Sequence, residues 1–185
     1  MVSCVDCKLP LRANGEGNNS ESPRCNPCTT LSESNLSIRI TPLKYEDLEL
    51  VLAWRSNPEI YQHFRQQESH LNWKEHISWF ESRSSERYDF LIHYKDRRVG
   101  VVSIDSDDEV GIYLGDFSAQ GRGIATASLR WLCDRFADRA PLFAEIHTDN
   151  NESKQLFRRC GFQEIEREKD WLQYIYDPES ATSVH

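Results

Sequence analysis

No run of about 18 consecutive apolar residues occurs in this 185-residue sequence, and its start lacks a charged stretch followed by an apolar one. A membrane-spanning helix and a secretory signal are therefore not expected. Lysine is scarce, six against 16 arginines, and basic residues as a whole are outnumbered 22 to 30, for a formal charge of -8. A chain of that sign gains no general attraction to DNA, RNA or anionic lipid, so nucleic acid and membrane are both disfavoured as partners. No internal repeat is visible. What remains is the profile of a cytoplasmic protein, long enough for one ordinary domain with an appendage.

Large apolar residues are also short in residues 1–35, which are rich in Asn, Ser, Gly and Pro around the stretch Asn14-Gly15-Glu16-Gly17-Asn18-Asn19-Ser20. Apolar content alone would leave this region disordered. It nevertheless holds four of the six cysteines, as Cys4-x2-Cys7 and Cys25-x2-Cys28 with 17 residues between the pairs. Two such knuckles read as one structural Zn²⁺ held by Cys4, Cys7, Cys25 and Cys28, and a reducing cytosol disfavours the rival disulfides. Metal binding would then supply folding energy that the segment cannot draw from a core. Residues 1–35 are thus expected to be a zinc-ribbon-like segment, able to dock a protein partner. Cys133 and Cys160 fall on helices and read as packing residues.

Residues 36–178 read as a mixed α/β (α+β) domain, and 179–185 as a flexible tail. Strands are expected at Ser37–Thr41, Tyr88–Tyr94, Val99–Asp105, Val110–Leu114, Leu142–His147, Phe162–Glu166 and Trp171–Tyr176. Helices are expected at Tyr45–Arg55, Glu59–Phe64, Trp73–Ser82, Gly123–Ala137 and Glu152–Cys160. The most informative segment runs from Val110 to Ala125: a strand, a glycine-containing loop and a helix start. Gly121 and Gly123 allow a tight turn, and the bare N–H groups that open the helix favour an anion such as pyrophosphate. Arg122 can add a charge-assisted contact.

Gln120-x-x-Gly123-x-Ala125 resembles the acetyl-CoA motif of the GCN5-related N-acetyltransferase (GNAT) superfamily. The stretch from Leu142 to Phe162, with Asn150, Ser153, Phe157 and Gly161, resembles the strand, Asn, helix and Gly-Phe ending of the same family. The resemblance covers roughly Ile38 to Asp177. It implies the GNAT fold, a mixed and mostly antiparallel twisted sheet flanked by helices, and acetyl-CoA as co-substrate. It further implies that the pantetheine arm enters between the strand bearing Ile112 and Leu114 and the strand Leu142–His147. Gln120, Gly121, Arg122, Gly123, Ile124 and Ala125 would cradle the pyrophosphate. Asn150 and Ser153 would meet the arm, with Phe157 beside it.

The implied reaction is acetyl transfer to a primary amine, which must lose a proton before it can attack. Glu145 is the candidate base: it matches a glutamate of Rim-type members, and strand alternation puts it on one face with His147, opposite Ile146. A salt bridge is the competing explanation for a Glu on that strand. Phe157 stands where the family usually has a proton-donating Tyr, which leaves water, Tyr113 or Ser153 to serve instead. It also keeps open a non-catalytic, acyl-CoA-binding adaptor.

Arg55 and His76, with their flanking residues, resemble the branch that acetylates a UDP-linked 4-amino-4,6-dideoxy sugar in pseudaminic acid biosynthesis, and Rim-like enzymes. That match implies a nucleotide-linked amino sugar as acceptor, met by Arg55, Phe64 and His76, with a protein N-terminus as the alternative. Trp54, Trp79 and Phe80, at helical spacing, read more readily as core.

Overall fold

Alternation of apolar and polar residues at the start of the domain makes a strand with one buried edge of side chains: Ile38 and Ile40 are enclosed while Ser37 and Arg39 face solvent. In the computed structural model, which describes residues 31–33, 36–67 and 69–179, this strand is β2 (Leu36–Pro42). It follows β1 (Leu31–Glu33), which pairs with it antiparallel. The sheet therefore begins inside the stretch read above as the cysteine-rich head. Cys4, Cys7, Cys25 and Cys28 lie outside the described residues.

Three further strands complete the first sheet in the order β1-β2-β3-β4-β5: β3 (Tyr88–Tyr94), β4 (Arg97–Ile104) and β5 (Val110–Leu114). All its pairings are antiparallel. Phe90, Leu91 and Ile92 on β3 are all buried, so both faces of the sheet are covered. One face packs on α4 (Ile124–Arg135) through Ile104, Leu129, Leu132 and Phe136. The other carries α1 (Leu48–Arg55), the four-residue α2 (Pro58–Tyr61) and α3 (Trp73–Glu81) over Leu91 and Val101. A second sheet, in the order β6-β8-β7, comprises β6 (Leu142–His147), β7 (Gln163–Glu168) and β8 (Trp171–Tyr176), with α5 (Asn151–Arg159) between β6 and β7. Leu142, Ala144 and Ile146 point into the core shared with α4, so Phe143, Glu145 and His147 face the opposite side.

Several boundaries differ from the sequence expectation, three of them for plain local reasons. The long helix starts at Ile124, because Gly123 has φ +78° and cannot be a helical residue. It ends at Arg135, where Phe136 leaves helical geometry and a short 3₁₀ turn follows. The segment expected to be helical over 59–64 makes only one turn, opened by Pro58 and capped by the Asn57 side chain.

Candidate active site

The loop after β5 is built by small residues and backbone. A 3₁₀ turn (Phe117–Ala119), capped by Asp116, brings the chain to Gln120, and the next residues run in the open to α4. Gly121 and Gly123 both have positive φ, 70° and 78°, and a Cβ added to either would meet nothing within 4 Å. Side chains are therefore excluded here by backbone conformation rather than by crowding. The 12-residue α4 then offers its first N–H groups to that open space, with Arg122 anchored through its Nε donating to the Ser118 carbonyl at 3.1 Å. Ile124 is buried, so only its backbone can face a ligand. The loop fits a pyrophosphate by this geometry.

The gap expected between β5 and β6 is present. The two strands meet at a single parallel bridge, Glu109 to Phe143, reinforced by the Phe143 N–H donating to the Asp108 carbonyl at 3.0 Å. Beyond it they belong to different sheets, and among the described residues β5 has no strand partner on that side. Backbone groups from Gly111 to Leu114 are left to pair with an inserted amide-bearing arm. Ile112 and Leu114 turn their side chains to the core and present backbone to the gap. Asn150 caps α5, its Oδ1 accepting from the Ser153 N–H at 3.0 Å. Phe157 is enclosed in the core edge-to-face with Phe162, 5.0 Å between centroids.

Glu145 stands on the cleft face of β6 and is engaged by Arg65, which also reaches Glu168 at 2.5 Å. Glu145 is thus ion-paired, the competing explanation given above, on the strand face that borders the cleft. Sequence reasoning missed Glu109, at the closed end of the gap. Its carboxyl is pushed up to about 7, first by desolvation and then by repulsion from Glu145 and Asp105. The residue is exposed overall, which weakens the desolvation; the repulsion from its neighbours remains. The turn bearing Glu109 is pinned from behind by Arg139, whose guanidinium donates to Asp108 at 2.5 Å, to the Glu86 carbonyl at 2.9 Å and to the Asp105 carbonyl. His63 and His147 flank the cleft with rings 6.3 Å apart, and burial lowers the pKa of His63.

The opposite wall is cationic and aromatic. Arg55 lies over Phe64 at 5.7 Å and over Trp79 at 5.1 Å, while its Nε donates to Gln67 at 3.2 Å. Tyr113 packs edge-on against both Phe64 and Trp54. His76 is fully buried and stacked on Trp79, 5.3 Å apart with planes at 16°. Enclosure pushes its pKa down to about 4, so it is neutral. In this conformation His76 supports Trp79 and has no surface toward the cleft. Phe64 and Arg55 do reach the same place as Tyr113. Among the described residues, no group of three His, Cys, Asp or Glu side chains could hold a metal ion, and no helix is long and apolar enough to cross a membrane.

The open loop at the N-terminus of α4 and the parting of β5 from β6 are the two features that the resemblance implied. The family model described as the acetyltransferase (GNAT) domain matches residues 37–163, and the chain belongs to that family. It is 35% identical over 159 residues to an uncharacterized protein of Methanocaldococcus jannaschii, covering 78% of this chain and 32% of that protein. The chain thus spans about a third of the length of that curated relative. A crystal structure of a domain from Methanocaldococcus jannaschii superposes with a TM-score of 0.72 and 32% identity, over 77% of this chain and 99% of the domain. The spermidine N-acetyltransferase of Vibrio cholerae, solved with CoA and spermine, shares the fold at a TM-score of 0.67 and 16% identity, over 75% and 94% of the two chains.

Proposed function

We propose that this domain transfers the acetyl group of acetyl-CoA to a primary amine carried by a nucleotide-linked sugar. The observation that carries the transfer is the joining of the loop at 120–125 to the gap beside β5, which gives a bound pyrophosphate and its arm one continuous path. Acetyl-CoA supplies the thioester; the protein's part is to hold it, orient the amine and remove a proton. Gln120 to Ala125 would hold the pyrophosphate through backbone N–H groups and Arg122, and β5, Asn150 and Ser153 would hold the arm. An ammonium has no lone pair, so its proton must leave before the C–N bond forms and the C–S bond breaks with its electrons on sulfur. Glu145 and Glu109 face the cleft where the amine would enter, and a carboxylate there can take that proton directly or through water. Glu145, already countered by Arg65, suits holding the ammonium; Glu109, with its raised pKa, suits receiving the proton near neutral pH. Phe157 cannot protonate the departing thiolate, but a thiol has a pKa of about 8.5, so the leaving group tolerates water as its acid.

Calorimetry with acetyl-CoA, followed by thiol-release assays on UDP-amino sugars, N-terminal peptides and polyamines, tests the proposal. Turnover is expected on the amino sugars. Absence of acetyl-CoA binding would remove the transferase reading, turnover on peptides alone would replace the acceptor, and binding without any turnover would favour an adaptor.

For the head we propose one structural Zn²⁺ held by Cys4, Cys7, Cys25 and Cys28 in a reducing cytoplasmic setting, available for docking a protein partner. Four thiolates close the tetrahedral shell, so the metal takes no part in the transfer. Metal analysis of the reduced protein should find one zinc per chain, lost in Cys25→Ser; a metal-free protein would refute the site.

A further inference from the structure

A cation already stands on the second-sheet wall of the cleft. Arg65, in the turn after α2, reaches across to engage Glu145 of β6 and donates to Glu168 of β7 at 2.5 Å. Its guanidinium carbon lies 6.0 Å from the ring centroid of Trp171 on β8. The sheet register builds this seat: His147, Trp171 and Glu168 stand opposite one another across the three strands, and Glu145 is two residues from His147 on the same face. Trp171 and His147 pack edge-on at 5.2 Å. Two carboxylates beside an indole suit the binding of an alkylammonium. Among the described residues, Arg65 is the only cation paired with either carboxylate.

Neighbouring residues set the reach of Arg65. Phe64 packs edge-on against Tyr113 at 5.5 Å. Gln67 is buried, accepts from Arg55 Nε at 3.2 Å, and donates to the Arg55 and Ser69 carbonyls at 2.6 and 3.1 Å. The turn is thereby tied to α1, and Arg65 spans from it to the other sheet. Its guanidinium takes Oε1 of Glu145 and Oε2 of Glu168, which leaves one negative charge on the pair. One ammonium can still be met there, at the second oxygen of Glu145. A second ammonium of the same ligand would find the seat filled and meet a like charge.

We propose that Arg65 is a specificity-determining residue, a tethered cation that fills the seat of Glu145, Glu168 and Trp171 and so restricts the acceptor to amines with one ammonium, turning polyamines away. This narrows the acceptor class and rests on the reading of the cleft as the place where the amine enters. The exclusion works through charge. Without the guanidinium, both carboxylates and the indole face one open place, a seat for a chain of ammonium groups. Loss of Arg65 should therefore be a gain of binding, which a folding defect would not produce.

The test is titration of the full-length protein with spermine by calorimetry. Wild type and Arg65→Lys, which keeps the charge, should bind spermine weakly and alike. Arg65→Gln should bind it about tenfold more tightly, through the removal of one like charge. Adding Glu168→Gln to Arg65→Gln should take most of that gain away, which separates the seat from a general attraction to an acidic chain. Cooperative thermal melts report that each variant is folded. In thiol-release assays Arg65→Gln should lower KM for spermine relative to a monoamine. Wild type that binds spermine as tightly as Arg65→Gln, an Arg65→Lys protein that gains as much as Arg65→Gln, or a gain that persists in the double variant overturns the role of Arg65. Failure of the transferase reading would show separately, as absent acetyl-CoA binding or absent transfer to any amine, because the spermine titration requires neither.

Discussion

Replacing Glu109 by Gln removes one carboxylate from the cleft without changing its shape. If Glu109 takes the amine's proton, it must be ionised to act, so kcat of the wild type should climb as pH rises through about 7. In Glu109→Gln that limb should flatten and kcat fall by about 10²–10⁴-fold, the usual worth of a general base. Glu145→Gln should instead raise KM for the amine, because Arg65 would lose one of its two carboxylate partners and the ammonium its counter-ion. A kcat loss confined to Glu145→Gln would return the base to that residue. At His76 the sign concerns stability. Its folded pKa of about 4 lies below the ordinary 6.5, so between these values the unfolded chain binds more protons. Stability should be full above about pH 6.5 and decline as pH falls toward 4. Denaturant titrations of wild type and His76→Gln across that window should show the decline lessened in the variant.

Among the elements, the turn leaving β5 depends on one close approach. A Cβ on Gly115 would lie 2.0 Å from the Trp54 ring, so the indole of α1 can cross the end of β5 only over a glycine. Gly115→Ala should push α1 away from the sheet and lower the melting temperature, at a cost of about 1–3 kcal/mol, typical of overpacking. At α3 the capping box of Asn72 and Glu75, with bonds of 2.9 and 3.0 Å, opens the helix that carries Trp79. Asn72→Ala should cost about 1 kcal/mol, measured by denaturant unfolding, with CoA affinity unaffected. Gly123→Val tests a different link, since the φ of 78° is strained for any side chain although the space is open. Acetyl-CoA affinity should drop, by calorimetry, more than stability does.

For the molecule as a whole, the core shared by the two sheets is what keeps the gap open. Leu142, Ala144 and Ile146 of the second sheet pack with Ile104, Leu129 and Leu132 of the first side, so the sheets are fastened through α4 and touch strand to strand at one bridge. Among the described residues, that core begins at Ile38. Removal of residues 1–30 should therefore leave acetyl-CoA affinity close to wild type. Removal to 35 also takes β1, the outer partner of β2, and should cost stability as well. Loss of cofactor binding in the shorter deletion would show that the cysteine-rich head supports the site.

Periodicity and glycine placement along the chain determined the order of strands and helices, and Gln120 to Ala125 pointed, by resemblance, to the open loop before α4 that we propose holds the cofactor, because those features are local. Val110–Leu114 and Leu142–His147 form as expected, residue for residue. The acceptor side was not legible in the same way. Glu109 precedes the expected strand Val110–Leu114, and its raised pKa arises only when the chain brings it beside Glu145 and Asp105. Arg83 and Arg87 fall between two expected elements, and only the folded chain shows Asp89, buried on β3, drawing both toward Trp79. Arg65 is separated from Glu145 by 80 positions, and nothing in either neighbourhood announces the pair. Charge becomes function here through desolvation and proximity between distant segments, and those are properties of the packed chain alone.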